Sequence, residues 1–152
     1  MHIRPTQAGT YTLRVFPAGD GDGSGGSFSI DLFTGPIGAG QGTTLHVGDL
    51  DGSATTLSTT RWRAKATILV HDAQHNPIAG ATVVGLWTGG VTDMCVTNQN
   101  GRCSVTQRFA RRKNTVVFAV TNLQLSGGTY QSSANHDPDG DSNGTQISVN
   151  RP

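Results

Sequence analysis

Three carboxylates recur at alternate positions near the C-terminal end of the chain, in Asn135-His136-Asp137-Pro138-Asp139-Gly140-Asp141-Ser142-Asn143-Gly144-Thr145. Like charges this close, on a backbone broken by Gly and Pro, do not enter a core without a counter-charge. Hard cations such as Ca²⁺ bind clustered oxygen ligands on a sharply turning backbone. The loop is therefore a candidate structural calcium site built from Asp137, Asp139 and Asp141, with the Asn143 side chain and backbone carbonyls as further ligands. Asp49 and Asp51 are expected to join it, because the first and last strands of a sandwich often lie side by side. The all-oxygen set favours calcium over zinc. The loop is not an EF-hand: counted from Asp137, Gly140 falls fourth and Ser148 twelfth, where an EF-hand needs Gly sixth and Glu twelfth. The competing reading is an Asx-rich turn whose carboxylates cap backbone N–H groups.

Other residue types capable of chemistry are weaker candidates. Asp20-Gly21-Asp22-Gly23-Ser24-Gly25-Gly26 invites comparison with the serine loop of trypsin-like proteases, but an extra Gly separates Asp22 from Ser24 and no His and Asp segments match. It reads as a flexible loop. His71 and His75 are four apart at a strand end and its turn, and zinc there lacks an obvious third ligand. His71 is expected to pack at a strand edge and His136 to hydrogen-bond to the acidic loop. Arg108, Arg111, Arg112 and Lys113 fall in one connection between strands and form a candidate anion-binding patch, weighed against a solvated turn. Trp62 and Trp87 are expected in the core rather than on a sugar-stacking platform.

Cys95 and Cys103 flank Asn98-Gln99-Asn100-Gly101. Asn-Gly favours the type I′ turn, in which both central residues need positive φ. A hairpin there would set the two cysteine strands side by side within disulfide reach. A disulfide is preferred to two free thiols, and its corollary is an oxidising compartment. A zinc site fails for want of a second ligand pair.

The elements that would position these groups are strands. Only 14% of the 152 residues are charged and 21 are glycine, which suits short strands and tight turns better than helices. A net charge of +1 gives no electrostatic case for nucleic acid. No run of about 18 apolar residues appears, so no membrane insertion by a helix is expected. Residues 1–35 offer two alternating segments, Thr10–Phe16 and Ser27–Phe33, read as a β-hairpin; residues 36–42 read as a Gly-rich linker. From Thr43 onward the rhythm is that of a sandwich, with strands at 43–48, 61–71, 81–87, 94–97, 103–109, 115–121 and 146–150. In 61–71, Trp62, Ala64, Ala66, Ile68 and Val70 share one face. The N-terminus lacks the apolar core of a signal peptide and reads like the middle of a longer exported protein. The fold class expected is all-β: an Ig-like/fibronectin III-like antiparallel β-sandwich over 43–152 with an additional N-terminal β-hairpin.

Several of these segments together carry a resemblance. His46-Val47-Gly48-Asp49-Leu50-Asp51-Gly52, Trp62, Val70-His71-Asp72-Ala73-Gln74-His75-Asn76-Pro77-Ile78-Ala79-Gly80-Ala81-Thr82-Val83, Trp87, the two cysteines and the acidic loop come in that order. The set resembles the Ig-like accessory domain of secreted bacterial hydrolases, subtilisin-like proteases above all. The part from Asp72 through Asn76-Pro77-Ile78-Ala79-Gly80-Ala81-Thr82-Val83 is also similar to Ig-like repeats of bacterial surface adhesins. Ala8-Gly9-Thr10-Tyr11-Thr12-Leu13-Arg14-Val15 more loosely resembles the closing strands of a pre-peptidase C-terminal domain, of which 1–35 would be a remnant. The resemblance implies a secreted, non-catalytic module that stabilises, spaces or brings substrate to the catalytic domain of the same polypeptide. The alternative it implies is an adhesin-type domain that binds a polymeric substrate, a surface glycan or a protein.

Overall fold

In the computed structural model of the chain the described residues are 43–152; the hairpin and linker expected at 1–42 lie outside them. Eight strands follow one another: β1 (Thr43–Thr56), β2 (Arg61–His71), β3 (Thr82–Trp87), β4 (Val91–Val96), β5 (Arg102–Ala110), β6 (Thr115–Gln124), β7 (Gly128–Tyr130) and β8 (Gln146–Asn150). A 3-10 turn at Ser132–Ala134 is the one helical segment among the described residues. The strands form two four-stranded sheets, β5-β2-β1-β7 and β4-β3-β6-β8, packed as an all-β sandwich. Among the described residues no helix is long and apolar enough to cross a membrane.

Alternation in β2 sets the core. Trp62, Ala64, Ala66, Ile68 and Val70 are fully buried on one face, while Arg61, Arg63 and Lys65 stay outside. Phe109 lies between Trp62 and Trp87, at ring-centre distances of 5.6 and 5.8 Å, and Phe118 packs 4.9 Å from Trp87. Both tryptophans are thus core residues, as read from their positions. Trp62 donates its indole N–H to the Ala110 carbonyl, which satisfies its polar end.

Three features depart from the sequence reading. β1 runs to Thr56 rather than to Gly48, and its register with β2 slips between Val47 and Asp49. β7 was not foreseen, and it pairs with β1 in parallel, so the sheets are not wholly antiparallel. The cysteine strands do not form a ladder. β4 and β5 are the edge strands of opposite sheets, and the Cys95–Cys103 disulfide joins those edges with the Cα atoms 5.8 Å apart. Asn98–Gly101 is accordingly an arch between sheets, in which only Gly101 takes positive φ (71°). A side chain on Gly101 would also meet the Val70 carbonyl at 2.8 Å. Gly101 takes the positive φ that Asn-Gly favours but Asn100 does not, so the turn is not the type I′ expected, and the two sheets, not one, supply the strands it connects.

Candidate metal centre

The slip in β1 organises the site. A bulge inserts one residue into a strand and shifts the phase of its side chains. Leu45 and Val47 point into the core before it, and Leu50 after it. His46, Asp49 and Asp51 therefore all fall on the outer face of the same sheet, although their spacing in sequence is odd and even mixed. The residue at the slip is Gly48, where a Cβ would fall inside the His71 imidazole. Only a bare backbone lets that ring lie against the strand.

On this face four histidines converge. His46 comes from β1, His71 from the end of β2 directly across from it, His75 from the following turn, and His136 from the segment leading into the acidic loop. Each places a ring nitrogen within 4.8 Å of one from each of the others. Several local contacts hold the set. Asp72 accepts hydrogen bonds from the Gln74 and Asn76 amides at 2.9 Å, which closes the turn and leaves His75 at φ 62°. The Asn135 side chain accepts from Val47 N–H at 2.8 Å, and His136 N–H donates to the Val47 carbonyl at 3.0 Å. His136 Nδ1 lies 3.2 Å from the Ala134 carbonyl, which orients the ring with Nδ1–H as donor and Nε2 free to accept. His46 is 3% exposed, and its Nε2, like His71 Nδ1, is buried without a hydrogen-bond partner. Burial lowers the pKa of His46 below the usual histidine value, and His136, His75 and His71 lower it further. His71 is lowered in the same way by burial and then by His136 and His75; Asp72 opposes this and Arg102 adds to it.

Beside the histidines lie the carboxylates. Asp49, Asp137 and Asp139 form one close group, and Asp51, Asp139 and Asp141 another, each with oxygens within 4.8 Å of one another. The structure thus brings Asp49 and Asp51 to the loop as expected, by a different route from the one expected. The loop folds over the outer face of β1, whereas β8 itself belongs to the opposite sheet. Arg102 bridges Asp49 at 3.0 Å and Asp51 at 3.2 Å. Asp137 accepts from Ser142 N–H at 2.7 Å, so part of the capping role is present too. Burial raises the Asp49 pKa against the pull of Arg102. Burial and then Asp139, Asp137 and Asp51 raise that of Asp141. Asp49 Oδ1 is buried with no partner.

Two expected roles fall elsewhere. Asn143 caps the turn into β8, its Oδ1 accepting from the Thr145 and Gln146 amides at 3.0 and 2.7 Å. His136 turns to the histidines, not to the acidic loop. The sequence reading paired His71 with His75 but missed His46 and His136 as their partners. The available signal was that each of those two sits next to, or three residues from, an aspartate already singled out.

The basic residues occupy the other end of the same face. Arg108 lies across from Arg63 on neighbouring strands, and Arg111, Arg112 and Lys113 make the turn from β5 to β6. Arg151 donates to the Arg111 carbonyl there. A shallow groove elsewhere is lined by Thr82, Asn122, Gln124 and Tyr130 together with Leu123 and Leu125, and carries no charged side chain. Comparison with protein-family models, with curated proteins and with solved structures finds no match to this chain.

Proposed function

We propose that the chain is a non-catalytic accessory module of a secreted bacterial hydrolase, with a subtilisin-like serine protease as the parent, and that calcium stiffens it. The observation that carries this reading is the meeting of five carboxylates from β1 and the acidic loop with one guanidinium, that of Arg102. Such an excess of negative charge on one face favours a bound cation. The unpartnered Asp49 oxygen supplies a ligand already stripped of water. Calcium there would pin the loop before β8 to β1, a structural task.

Both cysteines are joined across the sandwich, and the four described histidines face one another. A disulfide between edge strands suits an extracellular setting. Met94 and Val96, both 61% exposed, share the outer face of β4 with Leu86 beside them on β3. An apolar strip of this kind favours contact with a neighbouring domain of the same polypeptide.

A second reading has its own support. Arg61, Arg63, Lys65 and Arg108 form an exposed basic group on one sheet face, which suits an adhesin-type contact with an anionic surface glycan.

Two measurements test the proposal. Calcium should raise the thermal midpoint of the full chain and EGTA reverse it, by about 2.7 kcal/mol at a hundredfold excess over Kd. An unchanged midpoint, with no calcium in elemental analysis, rejects the cation. The reading frame upstream of this segment should encode a peptidase domain; tandem copies of the same sandwich would favour the adhesin instead.

A further inference from the structure

We propose that His46, His71, His75 and His136 form a closed tetrahedral site for one zinc ion, distinct from the carboxylate site beside it. The geometry carries the proposal. All six distances between the four ring centres lie between 5.0 and 6.1 Å. Four points that are nearly equidistant can only be the corners of a tetrahedron. A zinc ion with four imidazoles at about 2.0–2.1 Å, each ring centre roughly 1.1 Å beyond its nitrogen, requires ring centres roughly 5.2 Å apart. The observed range brackets that value, with three pairs within about 0.2 Å of it and three that must close by less than about 1 Å as the rings settle on the ion.

Hydrogen bonding among the rings does not explain the cluster. Among the described residues no hydrogen bond joins two of these histidines, and the nearly fully buried His46 keeps its Nε2 without a partner. A buried polar nitrogen left so destabilises the fold, and ligation removes that penalty. The one ring nitrogen with a clear partner is His136 Nδ1, on the Ala134 carbonyl. Metal-binding histidines characteristically anchor their other nitrogen in this way. The turn adds a further sign: His75 is the single described non-glycine residue at positive φ, a conformation held only where the surroundings demand it.

The donor set names the metal. Four neutral imidazoles suit zinc, copper or nickel, and a tetrahedral arrangement selects zinc over the square-planar preference of Cu(II) and Ni(II). Because all four positions come from the protein, no place remains for water or substrate, so the role is structural. The ion would tie β1, the end of β2, its turn and the segment after the 3-10 turn at one point.

The test uses the untagged full chain, stripped of metal with EDTA and titrated with zinc against a chromophoric chelator. One zinc per chain is expected. The variants His75→Asn and His136→Gln should each weaken binding at least about 100-fold. Asn tolerates the left-handed backbone at position 75, so that variant keeps its turn. Asp139→Asn should leave zinc affinity unchanged while removing calcium. Cobalt(II) on the wild-type chain should give the intense visible absorption of a four-coordinate centre. Weak or fractional zinc binding, equal binding by the histidine variants, loss on Asp139→Asn, or the faint spectrum of six-coordinate cobalt would each overturn the assignment. Because the calcium midpoint shift is read separately, either site can fail without the other.

Discussion

The histidine quartet and the carboxylate groups share one sheet face and one loop, with His136 and Asp137 adjacent in sequence, yet they are assembled to different degrees. The four rings already stand at the corners of a tetrahedron. The carboxylates are divided between Arg102, backbone amides and open solvent. The difference follows from charge. Neutral imidazoles gather without repulsion, and burial favours the neutral form, so a fold can prearrange them. Carboxylates gather only against their own repulsion and take whatever donors are near. One site is built by packing, the other by neutralisation.

The strongest way to break the histidine quartet alone is through the bulge beside it. Gly48 is the extra residue between Val47 and Asp49, and plain alternation on either side of it keeps His46, Asp49 and Asp51 on the outer face. What the two sites do not share is the need for bare backbone at that point. Gly48→Ala displaces the His71 ring at a cost of about 1–3 kcal/mol and leaves the carboxylates as they are. Zinc affinity should fall while the calcium shift persists. A Gly48→Ala variant that melts and binds zinc like the wild type would show that the ring does not rely on the missing side chain.

Arg102→Ala separates the two sites. Asp49 would lose its partner while its side chain stays only 12% exposed. Arg102 itself is 42% exposed, so solvent screens the pair and the loss should be about 2 kcal/mol without calcium. Saturating calcium should recover most of it, because the cation replaces the guanidinium. The histidine quartet should feel little, since Arg102 is the smallest of the influences on His71. Denaturant midpoints with and without calcium measure both statements, and an equal loss under the two conditions would show that no cation takes the place of Arg102.

The sequence made one of these sites much more legible than the other, and the reason is physical. Strand alternation in 61–71 announced the core, because period-2 burial is visible in the residues themselves. Clustered aspartates announced themselves as well, since charge crowding is local in sequence. The histidine quartet joins positions 46, 71, 75 and 136, and only strand register brings His46 opposite His71. The bulge at Gly48 hides the relation further, because it changes the phase of β1 without any charged or aromatic signal. The cysteine arch was misread for a related reason. Asn98–Gly101 specifies a turn, but whether a turn joins neighbours in one sheet or crosses to the other depends on the partners of β2 and β3.

The smallest expected effect gives the sharpest contrast in sign. Burial and the neighbouring Asp139, Asp137 and Asp51 raise the Asp141 pKa, so its ionised form is disfavoured in the folded chain. A carboxyl whose folded pKa lies above its unfolded value contributes fully at low pH, and that contribution is lost as pH rises through the folded pKa. At neutral pH the ionised Asp141 therefore burdens the calcium-free fold. Asp141→Asn should raise the calcium-free midpoint slightly, by less than about 1 kcal/mol at this exposed position. Below the ordinary aspartate range the gain should vanish, because both chains then carry a neutral group. With calcium present the sign should reverse, since the variant lacks a ligand charge. Paired melts at neutral and acid pH, with EGTA or calcium, read all of these outcomes. A variant that is destabilised even without calcium would show that Asp141 serves the loop through its backbone contacts and not as a ligand held against repulsion.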